Sequence, residues 1–223
     1  MRVSIKIPRP ATMKVGKEGY HLLKAGTELH RIHPEAFGST QFNDTDKGNA
    51  RFSPIRNKAG AIIPTIYVAQ SFECATCEII LRCPDTPPRN RTKVAPPEIV
   101  YPNDYRSYAH SHIRTTGVLN LVDITIAGQR KIGVNANALL VGPKSSYQLT
   151  RSWAEKIHTE CPTAHGLYYG SYQYGPEFAL VLFGDRVPDD ILEAVSKRAV
   201  VDPACHDEIQ KLASALSIDY EDV

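Results

Sequence analysis

The sequence predicts an α+β domain, and three observations point to it. Strand-like and helix-like segments are interleaved along the chain without strict strand–helix–strand alternation. Of the 223 residues, 42 % are apolar, enough for a full core within one domain spanning residues 1–223. No window approaches the roughly 18 consecutive apolar residues of a membrane span, and no internal repeat is present.

The elements follow in order. Residues 2–7 alternate as a short strand until Pro8 and Pro10 interrupt it. Residues 28–33 form a second strand, ended by Pro34. Residues 37–49, rich in Gly, Ser, Asn, Asp and Thr, form a loop. Residues 62–69 are β-branched and aromatic and read as a buried strand, with Pro64 near its start. Ser71 is placed to cap a helix over about 72–82. Residues 84–97 carry five prolines together with Arg89, Arg91 and Lys93, which suits a surface excursion. Residues 118–126 alternate as a strand, and residues 148–158 form a helix bearing the single tryptophan, Trp153. Two strands, 166–169 and 178–183, flank a Tyr/Gly-rich turn. Two helices are expected over about 187–218. One starts at Pro188-Asp189-Asp190, with acids at the positive end of the helix dipole. The other has Asp202 as its cap and Pro203 in the first position.

Composition narrows the function. Basic residues number 26 and acidic ones 24, leaving +2, so a chain that coats nucleic acid or a membrane surface is not expected. The N-terminus has charge but no apolar stretch of a secretory signal. Five cysteines, an odd number in a chain that needs no bridges, suit a reduced, cytoplasmic setting. Cys74-x-x-Cys77 followed by Cys83 lacks a second pair, so the cysteines read as small apolar residues on a helix face. No metal is expected, and His110-x-His112, placed in a polar loop, does not change that. The 11 tyrosines against 6 phenylalanines point to wet, semi-buried surfaces such as a ligand cleft.

Certain side chains are costly unless they act. Glu78 lies among Cys74, Ala75 and Leu81, where a carboxylate must face solvent, pair with Arg82 one turn on, or open into a cleft. Arg31 sits inside a strand, and Arg51 follows a Gly48-Asn49-Ala50 turn. Either is a solvated arginine, or the two form a planar clamp for phosphate. Ser171, among four tyrosines and two glycines, is a turn residue or a ligand contact. No Gly-x-Ser-x-Gly elbow, Gly-x-Gly-x-x-Gly or phosphate-binding Walker loop is present.

An ordered set of segments resembles the RES-domain family. It comprises Leu29-His30-Arg31-Ile32, Gly48-Asn49-Ala50-Arg51-Phe52, Thr65-Ile66-Tyr67-Val68-Ala69, residues 75–78 and Gly166-Leu167-Tyr168-Tyr169-Gly170-Ser171. Leu121-Val122-Asp123-Ile124-Thr125, the Tyr147…Thr150…Trp153-Ala154 spacing and residues 179–183 extend it. The resemblance covers about residues 27–185. The family is named for an arginine, a glutamate and a serine, which here are Arg31, Glu78 and Ser171. The sequence departs from it in having Asn49-Ala50-Arg51-Phe52 for the usual Gly-Gly-Arg-Trp, and in an insertion at about 83–116.

The resemblance implies an ADP-ribosyltransferase-like fold, with mixed sheets around a cleft that takes NAD as substrate. It implies an NAD-degrading toxin of the Xre–RES type, an Xre-type antitoxin and a homodimer. The expected reaction cleaves the nicotinamide–ribose bond, by hydrolysis or phosphorolysis. ADP-ribose transfer to a macromolecule and non-catalytic nucleotide binding are the alternatives. In that scheme Glu78 stabilises an oxocarbenium-like ribose, and Arg31 and Arg51 hold phosphate oxygens. Tyr67 stacks on the cationic nicotinamide, and Ser171 holds the ribose or orients Glu78.

Overall fold

The computed structural model describes residues 6–82 and 98–221. The expected excursion at 84–97 and most of the strand expected at 2–7 lie outside the described residues; Lys6 and Ile7 are not in a strand. The strands are β1 (Gly19–Leu23), β2 (Glu28–Pro34), β3 (Ile55–Arg56), β4 (Ile62–Ile63), β5 (Thr65–Ala69), β6 (Ile99–Val100), β7 (Tyr108–Thr115), β8 (Leu119–Asp123), β9 (Gly166–Gly170), β10 (Phe178–Phe183), β11 (Leu192–Ala199) and β12 (Asp219–Tyr220). The α-helices are α1 (Phe72–Ile79), α2 (Ile126–Lys131), α3 (Ala138–Val141), α4 (Tyr147–Glu160) and α5 (Pro203–Ala215). The α+β expectation holds.

Eight strands form one mixed sheet in the order β1-β8-β9-β10-β5-β2-β7-β11. Only the β8–β9 pairing in it is parallel. β10 is nearly all Leu, Val and Phe because it lies between two neighbours with both faces covered. Ala179, Val181 and Phe183 point to one core, with Trp153 and Ile157 of α4 and Cys74 and Ala75 of α1. Leu180 and Leu182 point to the other, with Leu29, Ile66, Val68 and Ile113. Gly166 is required where β9 crosses β10, because an added Cβ would lie 2.2 Å from the Val181 carbonyl oxygen.

The structure corrects four expectations. Residues 62–69 split at Pro64: β4 pairs with β3 in a separate ribbon, and only β5 joins the large sheet. The strand expected over 118–126 ends at Asp123, whose Oδ1 accepts from Thr125 N at 2.8 Å; Thr125 then caps α2. The helix expected from Pro188 is instead a turn followed by β11. The open edge of β7 offers β11 a ladder of partners from Leu192↔Thr115 to Ala199↔Ala109, broken once at Val195 where the register shifts, and this overrides the helix propensity of Leu-Glu-Ala. Only α5, capped by Asp202 as expected, is a helix in that stretch.

The fourth correction concerns His110-x-His112, expected in a polar loop. Both histidines belong to β7, an interior strand between β2 and β11. His30, His110 and His112 stack on one face of β2 and β7, with His30 Nδ1 3.0 Å from His110 Nε2. Arg198 Nε donates to His110 Nδ1 at 3.3 Å, so His110 donates through Nε2 to His30. Burial, then the neighbouring His30 and Arg198, hold His110 down at about 3.

Candidate active site

The site begins with α1. Ser71 Oγ accepts from Cys74 N at 3.0 Å, the N-cap expected from sequence. The cap fixes the helix so that Cys74, Ala75, Thr76 and Cys77 are buried and Glu78 lies half-buried beyond them. Burial and the Glu78 charge push both thiols up to about 12, which leaves them neutral. Among the described residues no group of three or more His, Cys, Asp or Glu side chains is placed to hold a metal.

Ser171 reaches Glu78 from the turn after β9. Its backbone N–H donates to Glu177 O at 2.7 Å, closing the turn. Its hydroxyl accepts from Tyr174 N at 3.0 Å and donates to Glu78 Oε1 at 2.6 Å. Glu177 binds the turn to α1, because its carboxylate accepts the Ser71 hydroxyl. One residue thus both caps α1 and anchors the turn that brings Ser171 to it.

Arg51 and Tyr67 lie in the same cluster. Phe52 N donates to the Tyr67 hydroxyl at 2.9 Å, and Phe52 packs edge-on against Tyr169 at 5.6 Å. Burial and the Glu78 charge push the Tyr169 phenol well above its ordinary value. Arg51 lies 4.8 Å over the Tyr147 ring, and its Nη1 donates to Gly142 O at 3.0 Å and Leu139 O at 3.4 Å. The Thr150 hydroxyl donates to the Arg51 carbonyl. Arg82 donates to the Tyr147 hydroxyl. Tyr67, half-buried, has its hydroxyl tied to the backbone beside Arg51.

Arg31 is placed differently. The His30↔Ala69 register and the two-residue repeat of a strand set it on the Val68 side of the sheet, opposite Tyr67. It is 8 % exposed, and its Nη1 donates to the carbonyls of Gly38, Ser39 and Gln41 at 3.0–3.2 Å. Burial brings its guanidinium down to about 10. No carboxylate pairs with it among the described residues, and no contact joins it to Glu78, Ser171, Arg51 or Tyr67. The structure joins Glu78 directly to Ser171, sets Tyr67 and Arg51 on either side of Phe52 near the neighbouring Tyr169, and leaves Arg31 as a separate buried cation.

An open pocket of about 520 Å³ adjoins Ser171, lined by Thr125, Ile126, Asn137, Leu140, Gly170 and Tyr172 among others. Ile126 and Tyr172 are more than half exposed at its mouth. Sequence reasoning missed Asn137 and the Arg51 cradle at residues 139–142. Their backbone carbonyls and the left-handed turn at Asn137 leave no mark in residue type.

A family profile described as the RES domain matches residues 28–203. The chain belongs to the RES-domain family. None of the curated proteins matches the sequence. A solved structure, a chain of the M. tuberculosis MbcT–MbcA toxin–antitoxin complex, is similar in fold, with a TM-score of 0.58 at 12 % identity over 87 % of this chain and 93 % of that one. The RES-domain match takes in β2 through β11. Among the described residues no helix is long and apolar enough to cross a membrane.

Proposed function

We propose that this RES-domain protein consumes NAD by cleaving the bond between nicotinamide and ribose, and that it is the toxin of a toxin–antitoxin pair acting on the cytoplasmic NAD pool. The observation that carries this reading is the Ser171–Glu78 hydrogen bond beside an open pocket, with Arg51 in the same cluster. Membership of the RES-domain family and the likeness in fold to a chain of a toxin–antitoxin complex support it.

The chemistry suits those residues. The carbon–nitrogen bond breaks with its electron pair going to the cationic nicotinamide ring, which leaves neutral. Positive charge then develops on the ribose, and the Glu78 carboxylate stabilises it. Ser171 fixes the carboxylate through its 2.6 Å bond. A new carbon–oxygen bond forms to water or to phosphate; for water, the released proton passes to Glu78 or solvent. Arg51 holds phosphate oxygens with the donors that the carbonyl pair leaves free. Arg31, a buried cation without an acid partner among the described residues, lies on the other side of the sheet and in this reading supports the 38–41 loop, apart from the phosphate contacts of Arg51.

Purified protein mixed with NAD is expected to release nicotinamide, with ADP-ribose or its 1-phosphate as the second product according to whether phosphate is present. No release with or without phosphate overturns the reading. Label from radioactive NAD left on a protein would instead support transfer to a macromolecule. A partner antitoxin that covers the pocket is expected to abolish nicotinamide release.

A further inference from the structure

We infer that Gln129 is a positioning residue that sets the pocket wall and the Arg51 cradle together; this rests on the reading of the site given above. Gln129 lies on α2, is fully buried, and does not line the pocket. Its side-chain amide nevertheless makes three hydrogen bonds, all to the segments that build the site. Nε2 donates to Ile124 O at 2.8 Å and to Asn137 Oδ1 at 2.7 Å, and Oε1 accepts from Leu139 N at 3.1 Å.

Each partner has a place in the site. Ile124 follows β8 and fixes the amide to the sheet. Asn137 lines the pocket beside Ser171. It has φ +54°, directly after Ala136 at φ +56°, so two successive residues with side chains sit in the left-handed region. Such a turn persists only where its surroundings hold it. Leu139 supplies its N–H to Gln129 and its carbonyl to Arg51, which Gly142 O also holds. The same short segment thus forms pocket wall at one end and arginine cradle at the other. An apolar side chain would fill the space under α2 equally well. A buried amide is stabilising only when its donors and acceptor are all used, as they are here. A small misplacement of Arg51 would weaken its hold on a ligand far from where the change was made.

The test uses the full chain and three variants. Asn137→Gly removes the acceptor for Gln129, which costs stability, but suits φ +54° without strain, which offsets that loss, so the fold is kept. The inference expects KM for NAD to rise about tenfold, with kcat little changed and the melting temperature close to that of the parent. Asn137→Asp keeps an acceptor for Gln129 Nε2, and its crystal structure is expected to keep Arg51 within hydrogen-bond distance of Gly142 O. Gln129→Glu keeps the acceptor for Leu139 N, loses both donors, and is expected to raise KM like Asn137→Gly. Parental kinetics in Asn137→Gly, or displacement of Arg51 in Asn137→Asp, overturns the inference. Should Gln129→Glu fail to fold, the Asn137 pair decides. Crystal structures of the parent and Asn137→Gly give a readout independent of turnover. Arg51 is expected to leave hydrogen-bond distance of Gly142 O, and its retention there overturns the inference. A parent protein inert toward NAD overturns the proposed activity instead, and the place of Arg51 still decides the positioning role.

Discussion

The Ser171 hydroxyl meets Glu78 Oε1 at 2.6 Å across 93 positions of sequence. The pair couples a helix after β5 to a turn after β9, so it reports both local geometry and the closure of the sheet. Glu78→Gln keeps the shape and an acceptor for Ser171 but removes the charge. Nicotinamide release is expected to fall by about 10²–10³ in kcat with the melting transition nearly unmoved. Ser171→Ala is expected to fall less, about tenfold, because the carboxylate remains and only its orientation loosens. Single-turnover assays of both variants check the order.

Arg31 gives a different outcome because its Nη1 already holds a loop. Removing it strands the carbonyls of Gly38, Ser39 and Gln41. Arg31→Ala is expected to destabilise the fold by about 2 kcal/mol, read by chemical denaturation. Arg31→Lys retains the charge but not the planar fork, and is expected to recover only part of that stability. Titration with ADP-ribose on folded Arg31→Lys measures the share that belongs to an anion. Unchanged affinity would confine Arg31 to loop support.

Acid is expected to unfold the protein through its buried imidazoles. Burial and the Arg31 charge bring His33 down to about 4, and His110 lies at about 3. In the unfolded chain both take a proton near 6.5. The unfolded state therefore binds more protons below that pH, and folding stability falls as the pH falls. The contribution is complete above about pH 6.5 and is lost progressively toward pH 4. Each neutral imidazole adds about 1.4 kcal/mol per pH unit to that slope. Melting curves between pH 7.5 and 4.5 check it, and His110→Gln is expected to flatten the slope while lowering stability at neutral pH.

Gly166→Ala is expected to be among the most damaging single substitutions. Its Cβ would lie 2.2 Å from Val181 O and 2.9 Å from Leu182 Cα, both backbone atoms of a central strand. The strands must part, and a loss above about 3 kcal/mol is expected, visible as low soluble yield and early unfolding.

Much of this arrangement was legible in residue pattern. β9 and β10 declare themselves by apolar and aromatic runs beside Gly, β2 by Leu29 and Ile32 ahead of Pro34, and Ser71 by its place before a helix. Glu78 stands out because a carboxylate among Cys and Ala needs a reason, and Ser171 because the Tyr/Gly turn around it is unusual. β7 and β11 did not show. Their His, Ser, Arg and Lys side chains look like loop or helix surface, and only the pairing of one edge with the other makes them strands. Arg31 and Arg51 were equivalent as sequence. What separates them is their partners, the Gly38–Gln41 carbonyls a few residues on for one and Tyr147, remote in the chain, for the other. Gln129 reads as a solvated helix residue in Gly-Gln-Arg-Lys, and nothing short of the fold shows that its amide is buried.

The capping of α1 through Glu177 has a consequence for synthesis. Ser71 leaves the ribosome about a hundred residues before the carboxylate that receives its hydroxyl, and Glu78 waits as long for Ser171. During that interval β5 lacks β10, and the backbone groups along that edge have no strand to pair with. A nascent chain therefore carries an unassembled site through most of its translation, and a cell making it meets a complete one only after β10 has closed the sheet.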